Sequence, residues 1–283
     1  MMTSNENIDI SDWILIEEKP ELKRYQKDNA EKRIRIFETY TIEENYIDNQ
    51  LNGLTVGRMN KPFPHFPNKM SKVYLIETYE NGVQENTSFN YYDDGSWAEI
   101  HFKNGEPHGK YIAYFGNGQK EKERNNNNGE LDGIQYEWFE NGQLKIQENY
   151  KNGILEGESL QYLENGLLKQ KKHYKNGIIE GVVYTLWDYK GSPVEGGVYS
   201  ETEYKNDIPH GRETVFFANG NVMREGYYKN AKEEGERVWY NANGTLSMKE
   251  NFVNGKLNGE RFLYDAQGNL ESIQKYINDE RIE

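Results

Sequence analysis

The chain has 283 residues, of which 35% are hydrophobic, and its 22 Tyr, 5 Trp and 11 Phe make the aromatic content high, so a large aliphatic core is not expected. The absence of cysteine excludes disulfide frameworks, thiolate metal sites and cysteine nucleophiles. The net charge of −13 disfavours nucleic acid and favours a basic protein as partner, unless the surplus acid only keeps a Tyr-rich surface soluble.

The N-terminal residues show no pattern of a targeting signal. Met1 to Glu6 lack a basic segment, and the first apolar stretch, Trp13 to Ile16, is too short for a signal peptide. No stretch approaches the roughly 20 apolar residues that a membrane-spanning helix needs. The sequence therefore predicts a soluble, cytoplasmic chain, and contact with a membrane surface stays open as the alternative.

Residues 1–76 are irregular and are predicted to be degenerate N-terminal repeats or a capping segment. Ile34 to Tyr40 is a predicted strand, and Asn52 to Gly57 keeps two glycines four residues apart. Lys61 to Pro67 is a predicted loop because its three prolines cannot join a strand ladder. A separate small domain over residues 1–60 is the alternative.

From residue 77 onwards the chain repeats itself. An aromatic residue, a variable residue, Asn and Gly recur, as in Tyr150 to Gly153. The glycine position of this unit falls at residues 82, 105, 129, 153, 177, 207, 231, 255 and 279. The period is 24 residues, apart from one single-residue deletion and one six-residue insertion. A second glycine follows four residues later, and a second turn, mostly Asn-Gly, ends nine residues after that. Because Asn-Gly accepts positive φ at both central turn residues, each repeat is predicted to be a β-hairpin with two such turns.

Alternation between the turns predicts how the strands face. Aromatic and apolar residues occupy every second position, as in Tyr136 and Trp138, and the next strand continues the pattern with Leu144 and Tyr150. A period of two places all of these residues on one face of a sheet. The intervening positions are mostly polar, which predicts a solvent-exposed second face. Examples are Glu137, Glu148, Gln161, Lys169 and Arg237.

The predicted fold class is all-β: an elongated, single-layer antiparallel meander of 24-residue β-hairpin repeats over residues 77–283, with an insertion near 188–199. Cross-strand aromatic pairs, each contributing about 0.2–1 kcal/mol, are expected to stabilise this meander. Since each repeat would contact only its neighbours, a local mutation is expected to loosen only the local repeat.

No residue pattern indicates catalysis, a metal or a cofactor. His108 and His210 share one repeat position, but they lie four repeats apart, too far to ligate a common metal, and each is predicted to be a turn residue between Pro and Gly. Asp93-Asp94-Gly95 and Glu233-Glu234-Gly235 are interpreted as turns rather than acid/base pairs. The chain is therefore predicted not to be an enzyme.

The aromatic face is either a stacked ladder or a contact surface, because a single-layer sheet has little to bury its rings against. Exposed Tyr and Trp are common interface anchors. The insertion brings further rings and is a candidate partner-specific loop. The predicted partner-binding residues are Tyr114, Trp138, Tyr162, Trp187, Tyr189, Tyr199, Tyr240 and Tyr264.

The unit from Tyr150 to Gly166 has the pattern Tyr-x-Asn-Gly-x-x-x-Gly-x-x-x-x-Tyr-x-x-Asn-Gly, which resembles the MORN (membrane occupation and recognition nexus) repeat. The resemblance covers about three quarters of the chain. The repeat unit is most similar to the bacterial variant of this repeat in the YwqK family of toxin–antitoxin antitoxins. This resemblance implies an antitoxin or immunity protein that binds and blocks a cognate bacterial toxin, and an acidic surface would suit a basic, nuclease-like toxin. MORN arrays also serve as scaffolds, so tethering of membrane or cytoskeletal components is the alternative function.

Overall fold

The computed structural model describes residues 14–20, 22–36, 40–59, 73–92, 94–187 and 198–282. Its regular elements are 29 β-strands, and no helix occurs in these ranges. The strands pair antiparallel, hairpin after hairpin, so the predicted all-β class and antiparallel meander are confirmed. No helix in the described ranges is long and apolar enough to cross a membrane.

The chain divides into two compact units, residues 1–143 and 144–283. The strands of unit 1 are β1 (Ile14–Lys19), β2 (Leu22–Lys27), β3 (Ala30–Ile36), β4 (Tyr40–Ile47), β5 (Gln50–Leu51), β6 (Gly53–Met59), β7 (Val73–Glu80), β8 (Val83–Gln84), β9 (Asn86–Tyr91), β10 (Trp97–Lys103), β11 (Glu106–Tyr114), β12 (Lys120–Asn127), β13 (Glu130–Leu131) and β14 (Gly133–Trp138).

The strands of unit 2 are β15 (Leu144–Lys151), β16 (Ile154–Tyr162), β17 (Leu168–Lys175), β18 (Ile178–Ile179), β19 (Gly181–Trp187), β20 (Val198–Lys205), β21 (Ile208–Phe216), β22 (Val222–Lys229), β23 (Lys232–Glu233), β24 (Gly235–Tyr240), β25 (Leu246–Val253), β26 (Lys256–Leu257), β27 (Gly259–Tyr264), β28 (Leu270–Ile277) and β29 (Glu280–Arg281).

The first turn of each repeat is a two-residue hairpin with positive φ at both positions. Asn152 and Gly153 have φ of 49° and 73°, and the flanking Lys151 and Ile154 pair directly. This is the type I′ geometry, which matches the twist of the two strands. The same conformation persists where glycine is absent, since Asn206 has a φ of 52° and Asp207 a φ of 65°. The prediction for this turn is confirmed.

The second turn differs from the prediction. Gly118 has a φ of 87°, but Asn117 is not among the residues with positive φ. Phe115 N–H donates to the Gln119 carbonyl at 2.8 Å, and Gly118 N–H donates to the Phe115 carbonyl at 2.8 Å. The loop therefore has three residues and ends on one left-handed glycine, a geometry that needs positive φ only there. Asn117 instead stabilises the turn through its side chain, whose Oδ1 accepts the Gln119 N–H at 2.9 Å.

Two irregularities per repeat change which face a residue occupies. One lies at the second glycine, such as Gly157 with a φ of 88°, where the register shifts between Glu148 and Tyr150. The other is a bulge near the second turn, where the register shifts beside Tyr162 and leaves Lys169 without a partner of its own. A bulge interrupts the simple alternation of side chains. The prediction that every second residue shares one face is therefore wrong across each bulge.

The N-terminal strands follow the same plan in a shifted register. Asp48 and Asn49 form the two-residue turn with φ of 49° and 65°, and Gly53, with a φ of 84°, takes the place of the second glycine rather than the first. Of the predicted strand over Ile34 to Tyr40, Ile34 to Ile36 lie in β3 and Tyr40 lies in β4, and residues 37–39 are outside the described residues. The predicted loop over residues 61–67 lies outside the described residues.

Candidate functional site

Aromatic rings stack across neighbouring strands of unit 1 on the face that we call the ladder face. Trp97 lies between Tyr91, at 6.2 Å between ring centroids, and Tyr114, at 4.0 Å with the ring planes 10° apart. Further along, Trp138 stacks on Tyr136 at 5.6 Å and receives the Lys120 ammonium group 5.7 Å from its ring centroid. These rings are half-buried. They therefore stabilise the sheet through stacking and still present one edge to a partner.

Unit 2 has its own ladder face, formed by the equivalent repeat positions. Tyr199 stacks on Phe216 at 4.6 Å and meets Tyr184 at 5.4 Å. Three further predicted binding residues pair across strands at this face with aliphatic side chains of the next strand. They are Tyr162 opposite Leu168, Tyr240 opposite Leu246 and Tyr264 opposite Leu270.

One predicted binding residue, Trp187, does not join this surface. Trp187 follows Leu186, which pairs with Tyr199, so its side chain points to the opposite face of the same strand. It is 55% exposed, and its Nε1–H donates to the Ser200 hydroxyl at 3.1 Å. Tyr189 lies outside the described residues, as does most of the insertion.

The opposite face, which we call the ion-pair face, is not the solvent-exposed face that the sequence predicted. Arg237 is only 9% exposed, Glu250 5% and Glu213 9%, whereas the ladder rings are intermediate. Of the described residues that are buried, seven are hydrophobic and twelve are polar or charged, so the most enclosed part of the chain is polar. Polar side chains remain stable there because neighbouring strands supply their partners.

In unit 2, ion pairs and aromatic rings together enclose the charged side chains of the ion-pair face. Arg261 Nε–H donates to Glu250 at 3.0 Å, and its guanidinium lies 4.7 Å from the Tyr276 ring. Arg237 pairs with Glu233 and lies 4.6 Å from the Phe252 ring. The unit-start aromatics thus occupy this face, on the far side of the sheet from the ladder. Burial lowers the pKa of Arg237 below its ordinary value, and the positive charge of Arg224 acts in the same direction.

An acidic pocket of about 650 Å³ lies at the second turns of unit 1. Its charged lining residues are Asp94, Glu121 and Glu140, and Phe115 supplies an aromatic wall. Asp94 Oδ1 accepts both the Ser96 hydroxyl at 2.6 Å and the Ser96 N–H at 2.9 Å. The hydroxyl hydrogen bond is the main reason why the pKa of Asp94 lies below its ordinary value, so this carboxylate stays ionised.

The elements that position the pocket are three second turns and one bulge. Asp94 to Ser96 directly precede Trp97 in the chain, and Phe115 directly follows Tyr114. Glu121 is the extra residue of the bulge between Ala113, opposite Lys122, and Tyr114, opposite Lys120. The pocket combines three carboxylates with the Phe115 ring, which suits a Lys or Arg side chain of another protein.

Comparison with known protein families identifies the repeat. The MORN repeat variant matches residues 131–152, 155–176, 209–230, 233–254 and 257–278. The chain carries MORN repeats. No curated protein matches the chain.

Successive tight turns are linked by the residue before the second glycine. Glu156 accepts the Asn176 N–H at 2.7 Å, and Glu234 accepts the Asn254 N–H at 2.8 Å, each in the next tight turn along the chain. His210 occupies the same position and accepts the Asn230 N–H through Nδ1 at 3.4 Å. His108 does the same for Asn128 at 3.4 Å. The structure places His108 in β11 and His210 in β21, so the prediction that these histidines are turn residues is wrong. Their shared contact with the next tight turn explains why His and Glu interchange there.

Sequence reasoning missed the acidic pocket of this MORN-repeat protein. It treated Asp94 only as a turn residue and did not single out Glu121, Glu140 or Phe115. The bulge position of Glu121 is occupied by Lys169, Met223 and Ser247 in three other repeats but by a second carboxylate, Glu271, in a fourth, so the residue type at this position did not mark the pocket. In the described residues, no group of three or more His, Asp or Glu side chains could hold a metal ion.

Proposed function

We propose that this MORN-repeat protein is a non-catalytic binding protein that captures a basic bacterial toxin and neutralises it by covering its surface. The observation that carries the proposal is the acidic pocket of Asp94, Glu121 and Glu140, in which Phe115 is also a lining residue. A cationic side chain would enter the pocket while an apolar one covers the half-buried rings of the ladder face, the pairing of charge and aromatic contact that is common at interface centres.

Charge distribution supports a basic partner for unit 1. Residues 1–143 contain 25 Asp and Glu against 16 Lys and Arg, whereas residues 144–283 contain 22 against 18. Most of the negative charge therefore belongs to the unit that carries the pocket. Such a surface accelerates association with a positively charged protein and does so less at high salt. The antitoxin role itself rests on the resemblance of the repeats, and the binding surface rests on the pocket.

The test uses the full chain as bait in lysate from its own cells, with two variants of equal charge. Asp94→Asn/Glu121→Gln/Glu140→Gln removes the pocket charges, and Glu130→Gln/Glu260→Gln/Glu271→Gln removes three exposed carboxylates elsewhere. We expect the wild type and the control variant to retain the same basic protein in stoichiometric amount, and the pocket variant to lose most of it. Circular dichroism must first show that both variants keep the wild-type β-sheet content.

The neutralising role is tested separately by expression. The captured protein, produced alone, should arrest growth, and co-production of the wild-type chain should restore it, whereas the pocket variant should not. A captured protein that is harmless alone would contradict the antitoxin role and leave a binding protein. Equal capture by the pocket variant and the control would contradict the pocket as the contact site.

A further inference from the structure

A second surface, of opposite charge, lies along the tight turns of unit 2. The residues that flank these turns pair across the hairpin, with Lys151 opposite Ile154 and Lys175 opposite Ile178. The next tips continue the row with Lys205 opposite Ile208 and Lys229 opposite Lys232. We call the tip strip the set Lys151, Ile154, Lys175, Ile178, Lys205, Ile208 and Lys229. Its isoleucines are 51%, 39% and 41% exposed in chain order.

The tips form a continuous row because each is bonded to the one before it. Gly177 N–H donates to the Leu155 carbonyl at 2.8 Å, Asp207 N–H to the Ile179 carbonyl at 3.2 Å and Ala231 N–H to the Pro209 carbonyl at 2.8 Å. Two strands separate successive tips, so equivalent side chains recur at intervals of about 10 Å. The strip is therefore an ordered array of alternating cationic and apolar groups rather than a set of independent loops.

The lysines of the strip have no carboxylate partner among the described residues, a property that they share with Lys169 and Lys172 on β17. On the sheet faces of the same unit, Lys171 pairs with Glu158 at 2.5 Å, and Arg212 pairs with Glu225 at 2.5 Å. None of the four strip lysines forms an ion pair with any residue that the structure describes. The nearby Glu156 and Glu180 are engaged instead by turn N–H groups, those of Asn176 at 2.7 Å and Asn206 at 3.3 Å.

The fold does not require these residue types. The equivalent pairs in unit 1 are Glu80 with Val83, Lys103 with Glu106 and Asn127 with Glu130, on tight turns of the same conformation. Unit 1 therefore mixes acidic, neutral and basic groups at positions where unit 2 has four successive lysines and three successive isoleucines. The strip lysines are exposed, lack ion pairs and alternate with apolar side chains, at positions where the turn conformation also accepts other residue types. This combination indicates a contact surface.

We propose that the tip strip binds an acidic α-helix of another protein that presents one apolar side chain every seventh residue. Seven residues of helix advance about 10.5 Å, close to the spacing of the tips, so successive apolar side chains meet Ile154, Ile178 and Ile208. Glutamates on either side of each apolar residue reach the lysines. An extended anionic membrane would be repelled by the net charge of −13 of the chain. A short helix contacts only the strip, and salt screens it from the more distant negative charges of the chain. This inference goes beyond the proposed function, since it involves unit 2 and a partner of opposite charge.

The probe is a synthetic, helix-stabilised peptide with Leu at every seventh position and Glu on both sides of each Leu, and binding to the full chain is followed by fluorescence anisotropy. We expect saturable binding that weakens with salt and is lost for the same peptide with Lys in place of Glu. Lys175→Gln/Lys205→Gln should raise the dissociation constant about fivefold. Ile178→Ser/Ile208→Ser should raise it about tenfold.

Two control variants make the same chemical change away from the strip. Lys169→Gln/Lys172→Gln removes two lysines from strand β17, and Leu270→Ser/Ile273→Ser removes two side chains that are 52% and 47% exposed on β28. Both should bind the probe as the wild type does. Absence of saturable binding, equal weakening by the controls, or equal binding of the Lys peptide would overturn the proposal. Binding to phosphatidylserine vesicles through Lys175 and Lys205 without binding to the probe would overturn it in favour of a lipid surface.

Discussion

At the scale of single residues, the repeat tolerates departures from Asn-Gly at a local cost that can be measured. Ala231 occupies the glycine position of its tight turn with a φ of 62°. A residue with a side chain is destabilised by about 1–2 kcal/mol in this left-handed conformation. Glycine avoids that cost but loses about 0.5–1 kcal/mol more than alanine in conformational entropy on folding. We therefore expect Ala231→Gly to increase the free energy of unfolding by about 0.5–1 kcal/mol. Ala242→Gly is the matched control, because Ala242 is not among the residues with positive φ, and it should destabilise the chain. Urea unfolding measures both, and a loss of stability in Ala231→Gly would contradict the strain argument.

At the scale of the repeat, the contact between neighbouring hairpins is expected to control local opening. Glu156 accepts the Asn176 N–H, so Glu156→Ala should cost about 1 kcal/mol and accelerate hydrogen exchange at Asn176 and its turn. Glu158→Ala is the control, because Glu158 pairs only with Lys171 across the sheet and does not reach the turn. Site-resolved hydrogen exchange separates the two variants. Unchanged exchange at Asn176 in Glu156→Ala would show that the tight turn is held by its own geometry.

Within the repeat, the features that could be predicted from the sequence are those that depend on local residues alone. The type I′ turns were predictable because Asn-Gly encodes a local conformation, and the strand class followed from the two-residue period between Tyr136 and Trp138. The assignment of residues to the two faces of the sheet could not be predicted. The bulge at Lys169 arises from pairing with the neighbouring strand, and the two-residue period of the sequence does not show it. Tyr174 therefore lies on the ion-pair face although its spacing assigns it to the ladder. The acidic pocket escaped prediction for the same reason, since Glu121 reaches it only through such a bulge.

At the scale of the whole molecule, an aromatic-rich sheet that buries tyrosines among carboxylates should be limited at high pH. Burial is the main cause that raises the pKa of Tyr79, to about 12 from an ordinary 10.0, and the charge of Glu77 adds to it. Burial also raises the pKa of six other tyrosines spread over both units, namely Tyr46, Tyr91, Tyr111, Tyr174, Tyr184 and Tyr228. The folded state thus holds these protons more tightly than the unfolded chain does. Their contribution to stability is complete below about pH 10 and is lost as the pH rises towards about 12.

We therefore expect the free energy of unfolding to fall steeply across that interval, and tyrosinate absorbance to rise cooperatively with the loss of β-sheet rather than before it. Tyr79→Phe isolates one contribution. It removes the hydrogen bond that the hydroxyl donates to Glu77 at 3.1 Å, so the variant should be less stable than the wild type near neutral pH. Phenylalanine cannot ionise, so that deficit should shrink and then reverse as the pH approaches 12. Tyr227→Phe makes the same chemical change at a side chain that is 56% exposed and controls for the loss of a tyrosine hydroxyl group. A difference between Tyr79→Phe and the wild type that stays constant with pH would mean that tyrosine ionisation does not set the alkaline limit of the sheet.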